Sequence, residues 1–151
     1  MRRVSEPPTL PLRGMVGRTA ESAKELLGEP SAERRIGADR WLVYRYPTLI
    51  VRLRCRRAPG SEEDRVASWT ATFGTARTSL REAAGPLGLW PACAPDARAG
   101  ARDGLLRRAL ADPAAAMPRS LTASVRQGSI RTISVFDEPP EWTGPEREAS
   151  E

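Results

Sequence analysis

The side chains that most often do chemistry are scarce in this sequence. The 151 residues include no histidine, one lysine (Lys24) and two cysteines (Cys55 and Cys93). Without histidine the chain lacks the commonest general base and the commonest metal ligand together. A nucleophilic serine would need Lys24 as its base, and Lys24 falls inside a predicted helix. Two distant cysteines do not make a zinc site, which takes four ligands. Cys93 precedes Ala94-Pro95-Asp96 with no activating cation beside it, so it reads as a structural thiol rather than a nucleophile. The two thiols could bridge the halves of the chain in an oxidising compartment, and are free and buried in a reducing one. The carboxylates Glu62-Glu63-Asp64 and the pair Glu138/Glu141 fall in a predicted loop and a tail, where solvation is their ordinary state. The Gly14 to Gly17 stretch has neither the spacing nor the preceding strand of a nucleotide loop. These residues assemble no catalytic set, no metal site and no cofactor site, and the sequence reads as non-enzymatic.

A binding surface is the chemistry that remains. Trp41-Leu42-Val43-Tyr44-Arg45-Tyr46 and Leu49-Ile50-Val51-Arg52-Leu53-Arg54-Cys55 alternate in period two about Pro47-Thr48, which predicts a β-hairpin. If Tyr46 pairs with Leu49, then Leu42, Tyr44, Tyr46, Leu49, Val51 and Leu53 share one apolar face. Trp41, Val43, Arg45, Ile50, Arg52 and Arg54 share the other, with Trp41 opposite Arg54. Tryptophan and arginine are enriched where proteins grip partners, so Trp41, Arg45, Arg52 and Arg54 are the candidate contacts for a protein partner. The plain alternatives are a simple Trp–Arg cross-strand pair, or a face covered by the other half or by the C-terminal residues. A rival reading is nucleic-acid binding, with Arg2, Arg3, Arg34, Arg35, Arg52, Arg54, Arg56 and Arg57 on phosphates and Trp41 or Tyr46 stacking a base.

Charge gives that rival some ground. The net charge is +5; residues 1–77 hold 15 basic and 9 acidic side chains, and residues 78–151 hold 9 and 10. Nearly every basic residue is arginine, however, alongside abundant Ala, Pro and Gly, which is the imprint of a GC-rich genome. No recognition helix or paired aromatic motif of RNA readers is present.

The surrounding elements must position this hairpin. Thr19 caps a short helix whose apolar residues are Ala20, Ala23, Leu26 and Leu27, and Gly28 and Pro30 stop it. A short edge strand is expected around Glu33–Ile36. Arg65 to Phe73 reads as a strand with Ala67, Trp69, Ala71 and Phe73 on the core side. Ser79-Leu80-Arg81-Glu82 fits a capping box for a second helix. Asp103 could cap a third through Leu105, Leu106, Ala109 and Leu110. Leu121 to Arg126 and Ile130 to Phe136 form a second hairpin around Gln127-Gly128-Ser129. The expected class is α+β, with short helices packed on one face of an antiparallel sheet in two related halves in tandem. The divisions are 1–16, a loose arm; 17–74 and 75–137, the two halves; and 138–151, an acidic disordered tail docked at most by Trp142. Thr19 to Gly28 and Ser79 to Gly88 span equal intervals, and the closing strands align at a spacing of 64.

Gly17-Arg18-Thr19, Leu27-Gly28-Glu29-Pro30, and Trp41 and Tyr44 in a strand resemble the SmpA/OmlA family and the related β-lactamase-inhibitor-like fold, mainly over residues 14–73. That resemblance implies helices on one face of an antiparallel sheet and, in the inhibitors, two such units in tandem. The acylated cysteine expected of the family's envelope members is missing. The N-terminus has no apolar signal region, and no apolar run approaches the ~20 residues of a membrane helix. The chain as written reads as cytoplasmic, and as an envelope or secreted protein if its true start lies upstream.

Overall fold

The computed structural model describes residues 6–57, 60, 62–90, 104–110 and 119–137. The loop around Cys93 and the tail 138–151 with Trp142 lie outside them. In chain order the elements are α1 (Ala20–Leu27), β1 (Ala32–Ile36), β2 (Asp39–Arg45), β3 (Leu49–Arg57), β4 (Asp64–Arg77), α2 (Leu80–Ala84) running into a 3-10 turn (Gly85–Leu87), β5 (Gly104–Leu110), β6 (Arg119–Arg126) and β7 (Ser129–Asp137).

The strands form one seven-stranded sheet in the order β1-β2-β3-β4-β7-β6-β5, and each pairing is antiparallel. This corrects the expected architecture. The described chain is dominated by the sheet, and its α-helix is confined to segments of eight and five residues. The third expected helix, from Asp103 through Leu110, is the edge strand β5, paired with β6 from Gly104↔Val125 to Leu110↔Arg119. Leu105, Leu106, Ala109 and Leu110 satisfy a helical period over so short a run, but a free strand edge offers seven residues of ladder, and tertiary pairing overrides local periodicity.

Local signals at the helix starts do operate. Thr19 Oγ1 accepts from the Ser22 N–H at 3.1 Å, and Ser79 Oγ accepts from the Glu82 N–H at 3.1 Å. The Glu82 carboxylate reaches past Ser79 to take the Thr78 N–H and hydroxyl at 3.2 and 3.1 Å, so the second capping box closes one residue early. Gly28 ends α1 at φ 86 and ψ −171, a region closed to other residues. Ala20, Ala23 and Leu27 are buried, while Leu26 turns outward.

The first hairpin has its expected register, and the second has a turn one residue shorter than expected, with Ser129 already paired to Arg126. Tyr46 N–H donates to Leu49 O at 2.9 Å across Pro47-Thr48, and Trp41 faces Arg54, Val43 faces Arg52 and Arg45 faces Ile50. β6 and β7 join through Gln127 and Gly128, both at positive φ (53 and 76), which fits a type I′ turn. β4 departs from simple alternation. Arg54 faces Ser68 but Cys55 faces Val66, so Ala67 is an extra residue in β4. This bulge turns Val66 to the core in place of Ala67, the reverse of the expected phase. Thr70 and Ser134 meet across β4 and β7, their hydroxyl oxygens 2.8 Å apart.

The segment expected as a loose arm contributes four residues to the core. Leu10, Leu12, Met15 and Val16 are buried with the inner face of the sheet. Leu10 N–H donates to Pro86 O at 2.7 Å, Gly17 N–H donates to Val66 O and Val66 N–H to Arg18 O, both at 2.8 Å. The Glu6 carboxylate accepts from the Thr48 N–H at 2.9 Å and its hydroxyl at 2.6 Å, and the Arg119 guanidinium donates to Val16 O at 3.0 Å. This strap ties the turn of the first hairpin, the start of β4, the 3-10 turn and β6 together.

Gly88 marks where the strap passes closest. It sits at φ +76, and a Cβ there would lie 2.8 Å from the Leu10 carbonyl oxygen. Gly128 has the same φ with nothing within 4 Å. Gly128→Ala is expected to carry only the left-handed penalty, about 1–2 kcal/mol. Gly88→Ala adds a backbone clash and is expected to lose about 3 kcal/mol. Urea unfolding of the two variants beside the wild type measures the difference.

Candidate functional site

Period-two alternation gives the sheet two unlike faces. The inner face carries Leu42, Tyr44, Leu49, Val51, Leu53, Trp69, Ala71, Phe73, Leu121, Ala123, Ile133 and Val135, all buried with the strap and the helices' apolar residues. The outer face runs in rows across the strands. One row reads Phe136, Ser68, Arg54, Trp41, Arg34; the next reads Ser134, Thr70, Arg52, Val43, Ala32; a third reads Thr132, Thr72, Ile50, Arg45. Apart from the exposed Arg34, these side chains are half-buried.

All four sequence-predicted residues stand on this face. Trp41, Arg52 and Arg54 lie in adjacent rows, while Arg45 stands in the third, toward the hairpin turn. They are not equivalent. Arg54 Nε donates to Asp39 Oδ2 and Arg56 Nε to Asp39 Oδ1, both at 2.9 Å. Asp39 therefore clamps two arginines, and those hydrogen bonds, Arg56's first, hold its carboxyl below its ordinary 3.8 against the cost of burial. Arg34 and Arg52 have no ion pair or side-chain hydrogen bond among the described residues. The cation–π contacts of the described residues join Arg77 to Phe73 (4.9 Å) and Arg81 to Trp90 (5.9 Å), not Arg54 to Trp41. The free cations beside Trp41 are thus Arg34 and Arg52.

A second polar cluster closes the inner face at the opposite phase of β1 to β4. Asp64, with its side chain 5% exposed, takes Arg35 at 2.9 Å and Arg40 at 3.5 Å, with Arg57 at 4.0 Å. Arg40 also pairs with Glu33 (2.6 Å) and Glu21 (3.3 Å), and Lys24 pairs with Glu33 (2.9 Å). Burial would raise the Glu33 carboxyl, but the Lys24 and Arg40 hydrogen bonds outweigh it and hold the group below 4.5. Cys55 is wholly buried beside this cluster, its neighbours across the ladder being Arg40 and Val66. Burial pushes its thiol up to about 11, and the Arg40 charge only partly opposes that. Sequence reasoning placed Asp64 in a solvated loop and did not see this cluster. The signal that could have found it is the period-two placement of Glu33, Arg35, Arg40 and Arg57 on one face of adjacent strands.

The division of arginines bears on nucleic-acid binding. Of the six candidates in described strands, Arg34, Arg52, Arg54 and Arg56 share the outer face, while Arg35 and Arg57 sit on the other and face Asp64. Tyr46 is buried in the core, 6.1 Å from Tyr44 in a stacked pair, and cannot stack a base.

No family model and no curated protein matches the chain. Among solved structures it is similar to a cysteine-rich secretory protein from Staphylococcus aureus, at 7% identity and TM-score 0.49 over 91% of this chain and 51% of that one. It is also similar to an extracellular SCP-domain protein from Bacillus anthracis, at 13% identity and TM-score 0.48 over 91% and 49%. The chain spans about half the length of each, and likeness at this level carries no functional argument. Among the described residues no helix is long and apolar enough to cross a membrane.

Glu33 and Asp39 bind protons more weakly in the folded chain than in the unfolded one. The stability they add is complete above about pH 4.5 and is lost as the pH falls through their lowered values. The urea midpoint should therefore drop as the pH is taken below about 4.5, and Asp39→Asn should flatten part of that slope. The Cys55 thiol should resist iodoacetamide in the native state and react on unfolding; mass spectrometry of the alkylated peptides measures it.

Proposed function

We propose that the protein is a non-enzymatic interaction module, and that the outer face of β2 and β3 takes a partner protein. What supports the reading is one arrangement: Trp41, Val43 and Ile50 lie together, half-buried, on the outer face of the sheet, flanked by Arg34 and Arg52 with no ion-pair partner among the described residues. Desolvated indole beside an arginine is the usual composition of an energetic hot spot. Unsatisfied guanidinium groups at its edge select an acidic rim on the partner. Arg54 contributes less than its neighbours on this reading, because Asp39 already occupies its Nε.

The test is affinity capture with wild type beside Trp41→Ala/Arg52→Glu, followed by titration of the captured protein in purified form. A hot-spot tryptophan carries about 2 kcal/mol or more, so the variant should bind at least ~30-fold more weakly with an unchanged urea midpoint. Equal affinity of the two would remove this face from the interaction.

A further inference from the structure

We infer that the edge of β1 is a strand-addition site, which takes an extended segment of a partner protein carrying an acidic residue opposite Arg34. The inference stands on the backbone of β1 and is independent of the Trp41 patch.

β1 ends the sheet: β2 pairs with it on one side, and no described strand lies on the other. The registers decide which backbone groups it offers. Tyr46 N–H donates to Leu49 O, so Tyr44, Leu42 and Arg40 aim their peptide groups at β3. Arg45, Val43, Trp41 and Asp39 aim theirs the other way, toward β1. The Ser31 hydroxyl bears out this parity, accepting the Arg45 N–H at 2.9 Å. Ala32, Arg34 and Ile36 are therefore the residues of β1 that bond to Val43, Trp41 and Asp39. Gly37, at φ 61, opens the two-residue loop that such a closing pair takes. The groups left over belong to Glu33 and Arg35. Their N–H and C=O groups point away from β2 and have no backbone partner among the described residues. Two such donor–acceptor pairs, about 7 Å apart along the edge, are completed by another extended backbone.

The side chains choose the strand. Glu33, Arg34, Arg35 and Ile36 are all exposed, whichever face they stand on. On the inner phase Glu33 is engaged by Lys24 and Arg40, and Arg35 by Asp64, so neither needs a charge from a newcomer. On the outer phase Arg34 has no ion pair among the described residues, and Ile36 is 60% exposed. A strand with a carboxylate opposite Arg34 and a β-branched residue opposite Ile36 meets both. A second copy of β1 does not. Antiparallel two-fold pairing centred on residue 33, 34 or 35 sets Glu33, Arg34 or Arg35 against its own copy, and like charges directly opposite are destabilising. The charges of this edge thus oppose self-pairing while Arg34 attracts an acidic strand.

The experiment uses the full chain and a capped heptapeptide, Thr-Val-Thr-Glu-Thr-Val-Thr, whose glutamate meets Arg34 and whose valines meet Ala32 and Ile36. Amide hydrogen exchange is read residue by residue by NMR. In the free chain the amides of residues 33 and 35 should exchange several-fold faster than that of residue 34. Millimolar peptide should slow both several-fold. A peptide with lysine in place of glutamate should bind several-fold more weakly, and Arg34→Glu should reverse that preference. Arg35→Pro removes one outward N–H, which an edge strand tolerates, and should abolish binding; Arg35→Ala keeps the N–H and should bind as the wild type does. Both variants lose the contact with Asp64, so their difference isolates the backbone group. No slowing at residues 33 and 35, equal binding of the two peptides, or equal binding by Arg35→Pro and Arg35→Ala overturns the inference. Amides 33 and 35 already slow in the free chain, through self-pairing or through another part of the chain, overturn it as well.

Discussion

The fold depends on β4 being paired along both of its edges. β3 lies on one side and β7 on the other, so two antiparallel meanders become one sheet through a single fourteen-residue strand. Trp69, Ala71 and Phe73 point inward from it, and Ser68, Thr70 and Thr72 point outward. The bulge at Ala67 lets the same strand place Val66 and Asp64 inward as well. Without that extra residue, period two would turn Val66 out of the core and leave the strap no partner at Val66 for Gly17 and Arg18.

The strap and the sheet solve one problem between them. A sheet with one apolar face must have that face covered, and helices of eight and five residues are too small to cover seven strands. Leu10, Leu12, Met15 and Val16 complete the cover. The Leu10 N–H bonds to Pro86 O, the Leu12 and Met15 N–H groups bond within the strap, and Val16 O accepts from the Arg119 side chain, so much of the strap's backbone is paired where it enters the core. Among the described residues, the strap and the apolar residues of the helices pack on the inner side. The outer face has a hydroxyl ladder at the centre, where Thr70 meets Ser134, and an arginine–tryptophan patch on β2 and β3.

That asymmetry also separates the two sets of charges. Arg35, Arg40 and Arg57 neutralise Asp64 and Glu33 where the inner face ends, and removing one partner there would strand a poorly solvated charge. The outer arginines are half in water, so pairing Arg54 and Arg56 with Asp39 adds little stability. Its effect is on availability: among the described residues it leaves Arg52 and Arg34 as the cations near Trp41 without an ion pair.

The sequence by itself determined what neighbours in the chain can enforce. Pro47-Thr48 set the register of the first hairpin, Gln127 and Gly128 placed the turn of the second, Thr19 and Ser79 set the helix starts, and alternation assigned Trp41, Arg45, Arg52 and Arg54 to one face. The tertiary structure decided what depends on distant partners. Residues 104–110 are a strand because β6 offers an edge, although their local period also suits a helix. Residues 10–16 are core because a distant sheet needs cover, although their prolines and polar neighbours read as an arm. Asp64 is buried, and Arg54 clamped, by side chains from other strands. Short-range steric and capping preferences are written residue by residue, whereas burial and ion pairing between residues far apart come into existence only when the sheet closes.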